Sequence, residues 1–237
     1  MISLKNFTVK AGEKIILKNI NYSFKKNKVY CLMGPNGSGK STFAYAIAGH
    51  PGYELDEKSK IYFEKQDITD LSSDKRAKKG IFLSFQTPLS LNGVNVFQLL
   101  RLALSGIKDP LKIKKEIEIF AKKLNIKKEL IERSLNDGAS GGEKKKLEML
   151  QAAIINPKFL ILDEVDTGVD VDALRSIGRF LDEFKKEKTI VLITHYSRIL
   201  KYINPDKVLI IIDGKIQKEG AKELVKEIED KGYGKTN

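Results

Sequence analysis

The stretch of sequence that decides the fold is a glycine-rich loop, Gly34-Pro35-Asn36-Gly37-Ser38-Gly39-Lys40-Ser41. It matches the pattern G-x-x-x-x-G-K-[ST] in full. The loop lies between a short apolar strand, predicted over residues 29–33, and a helix predicted from about Lys40 to Gly49. In this context the glycines let backbone N–H groups converge on phosphate oxygens, and the helix N-terminus adds a favourable dipole. We therefore predict a phosphate-binding loop and not an ordinary glycine-rich turn.

The residue types within this loop predict separate contacts to a nucleotide. Lys40 is expected to reach the β- and γ-phosphates, and the Ser41 hydroxyl is expected to ligate Mg²⁺. The other predicted nucleotide-binding positions of the loop are Gly34, Pro35, Asn36, Gly37, Ser38, Gly39 and Thr42.

A second candidate site follows an apolar strand that ends in two carboxylates, Leu160-Ile161-Leu162-Asp163-Glu164. A buried parallel strand of this kind delivers both acids to the carboxyl edge of the sheet, where such sheets bind ligands. Asp163 is predicted to hold Mg²⁺ through its water shell. Glu164 is predicted to polarise the attacking water as a general base. The alternative, a solvated acidic strand end, is less consistent with a neighbouring phosphate-binding loop.

Two more apolar strands end in polar residues, at Gln86 after residues 81–85 and at His195 after residues 189–194. A lone histidine is usually structural. Here His195 is predicted at the same sheet edge as Lys40 and Asp163, within reach of a γ-phosphate. Four apolar strands that each deliver a polar group to one edge predict a catalytic site there.

The segment Ser140-Gly141-Gly142-Glu143 supports two compatible interpretations. The S-x-x-E spacing is a capping box that starts a helix. A capped helix N-terminus fronted by two glycines is also an anion site. Because the segment lies 23 residues before Asp163, it is not the loop that wraps the same phosphates. It is therefore a candidate for binding the γ-phosphate held by a second copy of the chain.

The rest of the pattern predicts an α/β fold with a mainly parallel core sheet. The first 25 residues read as a hairpin that turns at Ala11-Gly12, and a second hairpin turns at Asp213-Gly214. Residues 96–135 are helical in pattern: the apolar positions Ile113, Ile117, Phe120 and Leu124 define one helix face. We expect one domain over residues 1–237. Its catalytic core comprises residues 1–86 and 140–237, with a helical insertion over residues 87–139.

Composition restricts the class of protein. The 237 residues carry 43 basic and 31 acidic side chains, for a net charge of +12, but only six of the basic residues are arginine. The lysines are spread among glutamates, which indicates a solvated surface more than a nucleic-acid site. The single cysteine, Cys31, lies in an apolar strand and reads as a buried thiol. With no long apolar run and no signal-peptide pattern, we expect a cytosolic protein.

The sequence resembles the ABC ATPases along nearly its whole length. The resemblance rests on the phosphate-binding loop, Gln86, Ser140-Gly141-Gly142, Asp163-Glu164, Gly168-Val169-Asp170 and His195, which occur in the family's order. It implies the P-loop ABC ATPase fold, with an antiparallel β-subdomain and a helical subdomain beside the parallel core. It also implies Mg²⁺-dependent hydrolysis of ATP.

The resemblance implies roles for further residues. Gln86 joins Ser41 and Asp163 in the metal site, and Gln86, Glu164, His195 and Lys40 form the catalytic set. In this family two subunits pair head to tail around ATP. Ser140, Gly141, Gly142 and Asp170 would then lie at the seam of a transient homodimer. Asp170 also has a structural interpretation, as the N-cap of the helix that follows it.

Within the family, the chain resembles the SufC-type ATPases of the SUF iron–sulphur cluster assembly machine. The similar stretches include Gly80 to Gln86, Ser140 to Lys145, Asp163 to Leu174 and Gly232-Tyr233-Gly234. This resemblance implies partners of the SufB and SufD scaffold type, with no transported solute. A single cysteine fits such a role, because the scaffold and not this chain would hold the cluster.

Two other functions remain open at this level. The ATP-binding subunit of a membrane transporter would share every catalytic motif and differ in the helical region that faces its partner. A nucleic-acid- or ribosome-associated ABC protein would usually carry coiled-coil insertions or tandem cassettes, and the sequence shows neither. We therefore expect no direct contact with nucleic acid and no direct membrane insertion.

Overall fold

The computed structural model describes residues 1–194 and 198–235. Its strands are β1 (Ile2–Ala11), β2 (Lys14–Phe24), β3 (Val29–Met33), β4 (Glu54–Leu55), β5 (Lys60–Phe63), β6 (Gln66–Asp67), β7 (Ile81–Ser84), β8 (Phe159–Asp163), β9 (Thr189–Ile193), β10 (Lys207–Ile212) and β11 (Lys215–Gly220). Its helices are α1 (Lys40–Ala48), α2 (Ser73–Lys78), α3 (Val96–Ala103), α4 (Pro110–Leu124), α5 (Lys128–Glu132), α6 (Gly141–Ile155), α7 (Val171–Phe184) and α8 (Glu223–Lys231). Short 3₁₀ helices cover Ile199–Lys201 and Tyr233–Lys235.

The core is a six-stranded sheet in the order β11-β10-β3-β9-β8-β7. Strands β10, β3, β9, β8 and β7 run parallel, and only the edge strand β11 is antiparallel. Strands β3, β8 and β9 are buried at every residue, as the unbroken apolar runs predict for a sheet covered on both faces. The predicted α/β fold with a mainly parallel core sheet is confirmed.

A second, antiparallel sheet is built around the N-terminal hairpin. Its strand order is β2-β1-β5-β6, and β4 pairs with β1. The hairpin was predicted to turn at Ala11-Gly12, but Ala11 is still paired with Lys14, so the turn comprises Gly12 and Glu13. The predicted turn is therefore wrong by one residue. Ala11 remains in β1, and Gly12, with φ of 58°, by itself provides the left-handed backbone conformation of the turn.

Two hydrophobic clusters cover opposite faces of the core sheet. Alternate residues of β3 divide between them, because successive strand side chains point to opposite sides. Cys31 and Met33 join the cluster formed with the later helices, while Tyr30 and Leu32 join the cluster formed with α1 and the antiparallel sheet. The helix that follows the phosphate-binding loop is therefore packed between two sheets. Burial raises the pKa of the Cys31 thiol, as expected for a core residue.

Three helices lie within residues 87–139, the range predicted as a helical insertion. The longest, α4, begins at Pro110 after the N-cap Asp109, whose carboxylate accepts from the N–H groups of Leu111 and Lys112. The predicted apolar face is present. Its buried residues are Ile113, Ile117, Ala121 and Leu124, and Phe120 is partly buried beside them.

The C-terminus of α1 is fixed by the buried guanidinium of Arg76. Its nitrogens donate to the carbonyl oxygens of Ala46 and Ile47 at 2.9 and 2.8 Å, and to those of Leu71 and Thr69 at 2.8 and 2.7 Å. A cation is favourable at the negative end of a helix dipole. Arg76 therefore holds the phosphate-binding helix from its far end.

Within the described residues, no helix is long and apolar enough to cross a membrane.

Glu64 carries a pH-dependent link between the antiparallel sheet and the core. Its carboxylate accepts from Lys158 Nζ at 2.8 Å and lies 2.9 Å from Lys26 Nζ. These two hydrogen bonds, the one from Lys158 first, lower the pKa of Glu64 from 4.5 to about 2. A carboxyl whose pKa is lowered on folding stabilises the protein above its unfolded pKa and loses that contribution as the pH falls through the folded value.

We predict that Glu64→Gln lowers the free energy of unfolding at neutral pH, because it removes the charge that both lysines contact. The decrease should be only about 1 kcal/mol, because solvent screens these largely exposed ion pairs. The difference between wild type and variant should shrink between pH 4.5 and about 2, the interval over which the carboxyl becomes protonated. Urea unfolding at several pH values measures it. A deficit that is the same at every pH would contradict the assignment.

Candidate functional site

The parallel strands bring their carboxyl ends together at one edge of the core sheet. Strands β3, β9, β8 and β7 are consecutive neighbours, and their registers pair Leu32 with Ile193 and Asp163 with Ile193. The phosphate-binding loop, the Asp163-Glu164 pair and the segment that leads to Gln86 therefore follow neighbouring strands. The predicted catalytic His195, which follows β9, lies outside the described residues.

The phosphate-binding loop has no room for side chains at its base. A Cβ atom on Gly34 would lie 2.1 Å from the carbonyl oxygen of Ile211. Gly39 has a φ of 105° and precedes α1 without a side-chain cap. The first N–H groups of α1 therefore have no side-chain cap and are available to an anion. Asn36 and Gly37 are exposed at the rim, while Ser38 is buried.

Lys40 lies across this loop. Its Nζ donates to the carbonyl oxygens of Gly34 and Pro35, both at 2.9 Å. Burial lowers the pKa of Lys40, and the nearby carboxylates of Glu164 and Asp163 act in the opposite direction. The cation is thus bound to the loop that is predicted to hold phosphates and is close to the acids Asp163 and Glu164.

Asp163 is the best candidate for a metal ligand in this site. Its side chain is fully buried, and within residues 1–194 and 198–235 its carboxylate oxygens accept no close hydrogen bond, although the Ser41 hydroxyl lies nearby. Burial raises the pKa of Asp163, while the nearby Ser41 hydroxyl favours the ionised form. A buried carboxylate without a partner is costly unless a cation compensates it.

The donor set fits Mg²⁺ held jointly with phosphates. The described residues contain no group of three or more His, Cys, Asp or Glu side chains that could bind a metal alone. Ser41 and Asp163 offer oxygen ligands at the mouth of the phosphate-binding loop, and Mg²⁺ commonly takes one or two protein ligands beside substrate phosphates. When bound, Mg²⁺ would neutralise charge on the phosphate oxygens.

Glu164 has a strained backbone and a well-defined side chain. Its φ is 49°, in the left-handed region that a non-glycine residue rarely adopts, and its N–H donates to the carbonyl oxygen of Ile193 at 2.9 Å. The Oε2 atom accepts from Gln86 Nε2 at 2.8 Å and from Thr167 Oγ1 at 3.2 Å. Such strain is retained where the surrounding structure enforces it and is frequent at functional sites.

Gln86 therefore lies beside the predicted general base. Because its amide nitrogen donates to Glu164, its amide oxygen is the atom that remains for the predicted metal contact.

Ser140 forms the capping box that its spacing predicts. Its N–H donates to Glu143 Oε2 at 2.9 Å, and its Oγ accepts from the Glu143 N–H at 3.3 Å. The two glycines are required by the close approach of the loop after β8 and of the first turn of α7. A Cβ on Gly141 would lie 2.5 Å from the carbonyl oxygen of Gly168, and one on Gly142 would lie 2.8 Å from Cβ of Ala173.

The loop that meets these glycines ends at Asp170. Its carboxylate accepts from the N–H of Ala173 at 2.8 Å, so the predicted N-cap of α7 is present. Asp170 itself is exposed. Ser140 and Gly141 are exposed on the same surface, since they lie against Gly168.

Sequence reasoning missed a buried polar cluster formed by Ser84, Lys145 and Glu148. Ser84 Oγ and the Phe85 N–H donate to the two oxygens of Glu148 at 2.6 and 2.8 Å. Lys145 Nζ donates to the carbonyl oxygen of Phe85 and lies 3.6 Å from Glu148 Oε2. Burial raises the pKa of Glu148 and lowers that of Lys145, against the attraction between the two charges. The available signal was two opposite charges three residues apart on a largely buried stretch of α6.

A second missed contact lies at the end of β9. Thr194 Oγ1 donates to Asp166 Oδ2 at 2.7 Å, and both residues are buried. Burial raises the pKa of Asp166. This bond ties the strand end that precedes His195 to the segment that follows Glu164.

Comparison with known proteins agrees with this geometry. Residues 17–167 match the protein-family model described as ABC transporter. The chain belongs to this family. Membership confirms the predicted ABC ATPase fold, hydrolysis of ATP, and ATP and Mg²⁺ as the cofactors of the cassette.

Two relatives align with the cassette over almost its full length. The probable ATP-dependent transporter slr0075 of Synechocystis sp. is 42% identical over 243 residues, which cover 98% of this chain and 94% of the relative. The probable ATP-dependent transporter ycf16 of Cyanophora paradoxa is 40% identical over 245 residues, covering 98% and 93%.

Solved structures share the architecture of this ABC-family chain. A nucleotide-free ATP-binding cassette from an ABC transporter superposes with a TM-score of 0.79 at 28% identity, covering 97% of this chain and 95% of the other. The cassette MJ0796, solved as a dimer in a post-hydrolysis state with ADP and Pi, gives 0.80 at 24% identity, covering 93% and 98%. At 24% identity the latter likeness concerns the fold alone.

We predict that Asp163→Asn abolishes Mg²⁺-dependent ATP hydrolysis by the cassette and leaves its stability nearly unchanged. The free energy of unfolding should stay within about 1 kcal/mol of the wild-type value, because relief of a buried charge opposes the loss of its attraction to Lys40. Phosphate release and thermal unfolding measure the two effects. The exposed Asp230→Asn serves as the control and should change neither. Full Mg²⁺-dependent turnover in the folded Asp163 variant would contradict the metal assignment.

Proposed function

We propose that the chain hydrolyses ATP as a head-to-tail dimer, in which each nucleotide is shared between the phosphate-binding loop of one copy and the Ser140 segment of the other. The observation that carries this proposal is the exposed, glycine-backed N-terminus of α6. Its capping box is complete, and among the described residues none of its hydrogen bonds reaches residues 34–41 of the same chain. It is a second anion site that a partner's phosphate can occupy.

The residues at the sheet edge supply the chemistry of the proposed reaction. Backbone N–H groups of the loop and Lys40 bind the phosphates and offset their charge. Ser41, Asp163 and Gln86 would hold Mg²⁺ against the phosphate oxygens. The oxygen of a water molecule attacks the γ-phosphorus, its proton passes to Glu164, and the bond to the ADP oxygen breaks. His195 is predicted to contact the γ-phosphate.

Gln86 and Thr167 orient the base for this step. Both donate to Glu164 Oε2 and so fix the position of its carboxylate.

Replacing the general base tests the shared site. In Glu164→Gln the phosphates and Mg²⁺ should still bind, whereas proton transfer stops, so ATP should accumulate in a stable dimer. Sizing chromatography with multi-angle light scattering, in saturating ATP and Mg²⁺, should report a molecular mass twice that of one chain. The control Glu229→Gln, on the exposed face of α8, should hydrolyse ATP and elute as wild type does. A monomeric Glu164 variant under saturating ATP would refute the shared site.

We further propose that this ATPase drives a protein partner of the SufB or SufD scaffold type in iron–sulphur cluster assembly. The support is the resemblance of its motifs to the SufC-type ATPases. It also includes a set of exposed apolar side chains on and beside the helical region, at exposures of 68, 77, 71 and 71%: Leu89, Leu102, Ile107 and Leu111. Exposed apolar groups of this size favour contact with another protein. Cys31 is buried, so a cluster would be held by the partner.

A transporter subunit is the second candidate, because the relatives named above are described as probable ATP-dependent transporters. The same apolar side chains would then meet a membrane-embedded subunit. Affinity capture from native lysate, followed by mass spectrometry, separates the two. SufB- or SufD-type proteins in the capture support cluster assembly, whereas a permease supports transport. A Leu102→Glu/Leu111→Glu variant should lose the partner and keep ATP binding.

A further inference from the structure

The segment that leads to Gln86 is held from one side by two charged groups of α6. Glu148 accepts from both Ser84 Oγ and the Phe85 N–H, and Lys145 Nζ donates to the carbonyl oxygen of Phe85. The N–H and the C=O of one residue are therefore both bound by the same helix. Lys145 and Glu148 are 2 and 6% exposed, so little water competes for these bonds.

At the other end of this chain of contacts is the hydrolytic site. Gln86 follows Phe85 directly, and its side chain donates to Glu164 at 2.8 Å. A displacement of the Phe85 backbone would move the Gln86 amide relative to the predicted general base and to the predicted metal site. Misplacement by about 1 Å at such a position can reduce turnover by two orders of magnitude.

The helix that carries the pair begins at the Ser140 segment. Lys145 lies five residues after Ser140, or about 7.5 Å along the axis at 1.5 Å per residue. The capping box and the contact of Gly141 with Gly168 fix the first turn of α6. A shift of the Ser140 segment is therefore transmitted along a rigid helix to the residues that hold Phe85.

Stability alone does not explain this arrangement. The desolvation of two charges generally cancels much of their attraction, and well-packed apolar residues often replace a buried ion pair without loss of stability. Apolar residues would fill the same space but would bind neither the N–H nor the C=O of Phe85. What the charged pair adds is a fixed position for the segment that carries Gln86.

We propose that Lys145 and Glu148 are positioning residues that couple the Ser140 segment of a chain to the hydrolytic site of the same chain. This inference rests on the proposed shared site, in which Ser140 contacts the nucleotide bound by the other copy. Occupation of that second site then adjusts Gln86 and Glu164 in the first. The pair thereby makes hydrolysis at the two sites of the dimer cooperative.

The test replaces the pair by apolar residues of similar size, in Lys145→Met/Glu148→Leu. The variant should fold, and its isolated chain should bind ATP with wild-type affinity. Its kcat should fall about tenfold or more, and the Hill coefficient for ATP should fall to 1. A merely structural role would change the unfolding temperature and leave the Hill coefficient of the folded protein as it is. Wild-type kcat and Hill coefficient in the folded variant would overturn the proposal.

Two further variants keep the test decisive. Ser84→Ala removes one hydrogen bond to Glu148 without altering either charge, and it should lower kcat and the Hill coefficient in the same direction even if the double variant does not fold. Unchanged kinetics in Ser84→Ala together with an unfolded double variant would overturn the proposal, since the pair would then serve stability alone. The control is Lys108→Met/Glu116→Leu, a partly buried pair at 2.7 Å whose lysine contacts the far end of α6, and it should retain cooperativity.

The outcome also separates this inference from the proposed function. If Glu164→Gln never dimerises with ATP, the shared site itself fails. If it dimerises and wild type hydrolyses ATP cooperatively, but the apolar pair is equally cooperative, only the role of Lys145 and Glu148 fails.

Discussion

The close contact between the Ser140 segment and the loop after β8 is the constraint on which the site depends. A side chain at Gly141 would collide with the backbone of Gly168, so the two loops can approach only as glycine against backbone. This contact places the exposed N-terminus of α6 beside Asp170 and joins it to the segment that starts at Glu164. One chain thus presents two helix N-termini on separate elements, and in the proposed dimer a nucleotide shared between two chains would use both.

The structure concentrates unfavourable features at the edge of the core sheet. Asp163 is a buried carboxylate that accepts no close hydrogen bond within the described residues, Glu164 has a left-handed backbone, and Lys40 is a desolvated cation. Each of these costs stability, and the surrounding packing sustains them. The buried strands β3, β8 and β9 and the two clusters on their faces provide that support. Binding of phosphates and Mg²⁺ would relieve the two charge imbalances together.

Much of the fold and of the candidate site was predictable from the sequence, because the sequence signals for them are local. The starts of helices α6 and α7 were predicted, since Ser140 and Asp170 mark them with N-cap chemistry. The phosphate-binding loop follows from its glycine-rich motif, and the strand-end acids follow from a short apolar run. The brief elements α2, β4 and β6 were missed because they have too few residues for periodicity. The Glu148 cluster was missed because its partners, Ser84 and Phe85, are more than 60 residues away in sequence.

Mixing two inactive variants tests the shared site most directly. Lys40→Met disables the phosphate-binding loop, and Ser140→Asp keeps a good N-cap but directs a carboxylate at the partner's phosphate. Each variant alone should be inactive. In the mixed dimer one site joins an intact loop to an intact Ser140, so the mixture should recover ATP hydrolysis in proportion to the share of mixed dimers. A mixture that stays inactive while light scattering shows mixed dimers, or full activity of the Ser140 variant alone, would contradict a site shared between two chains.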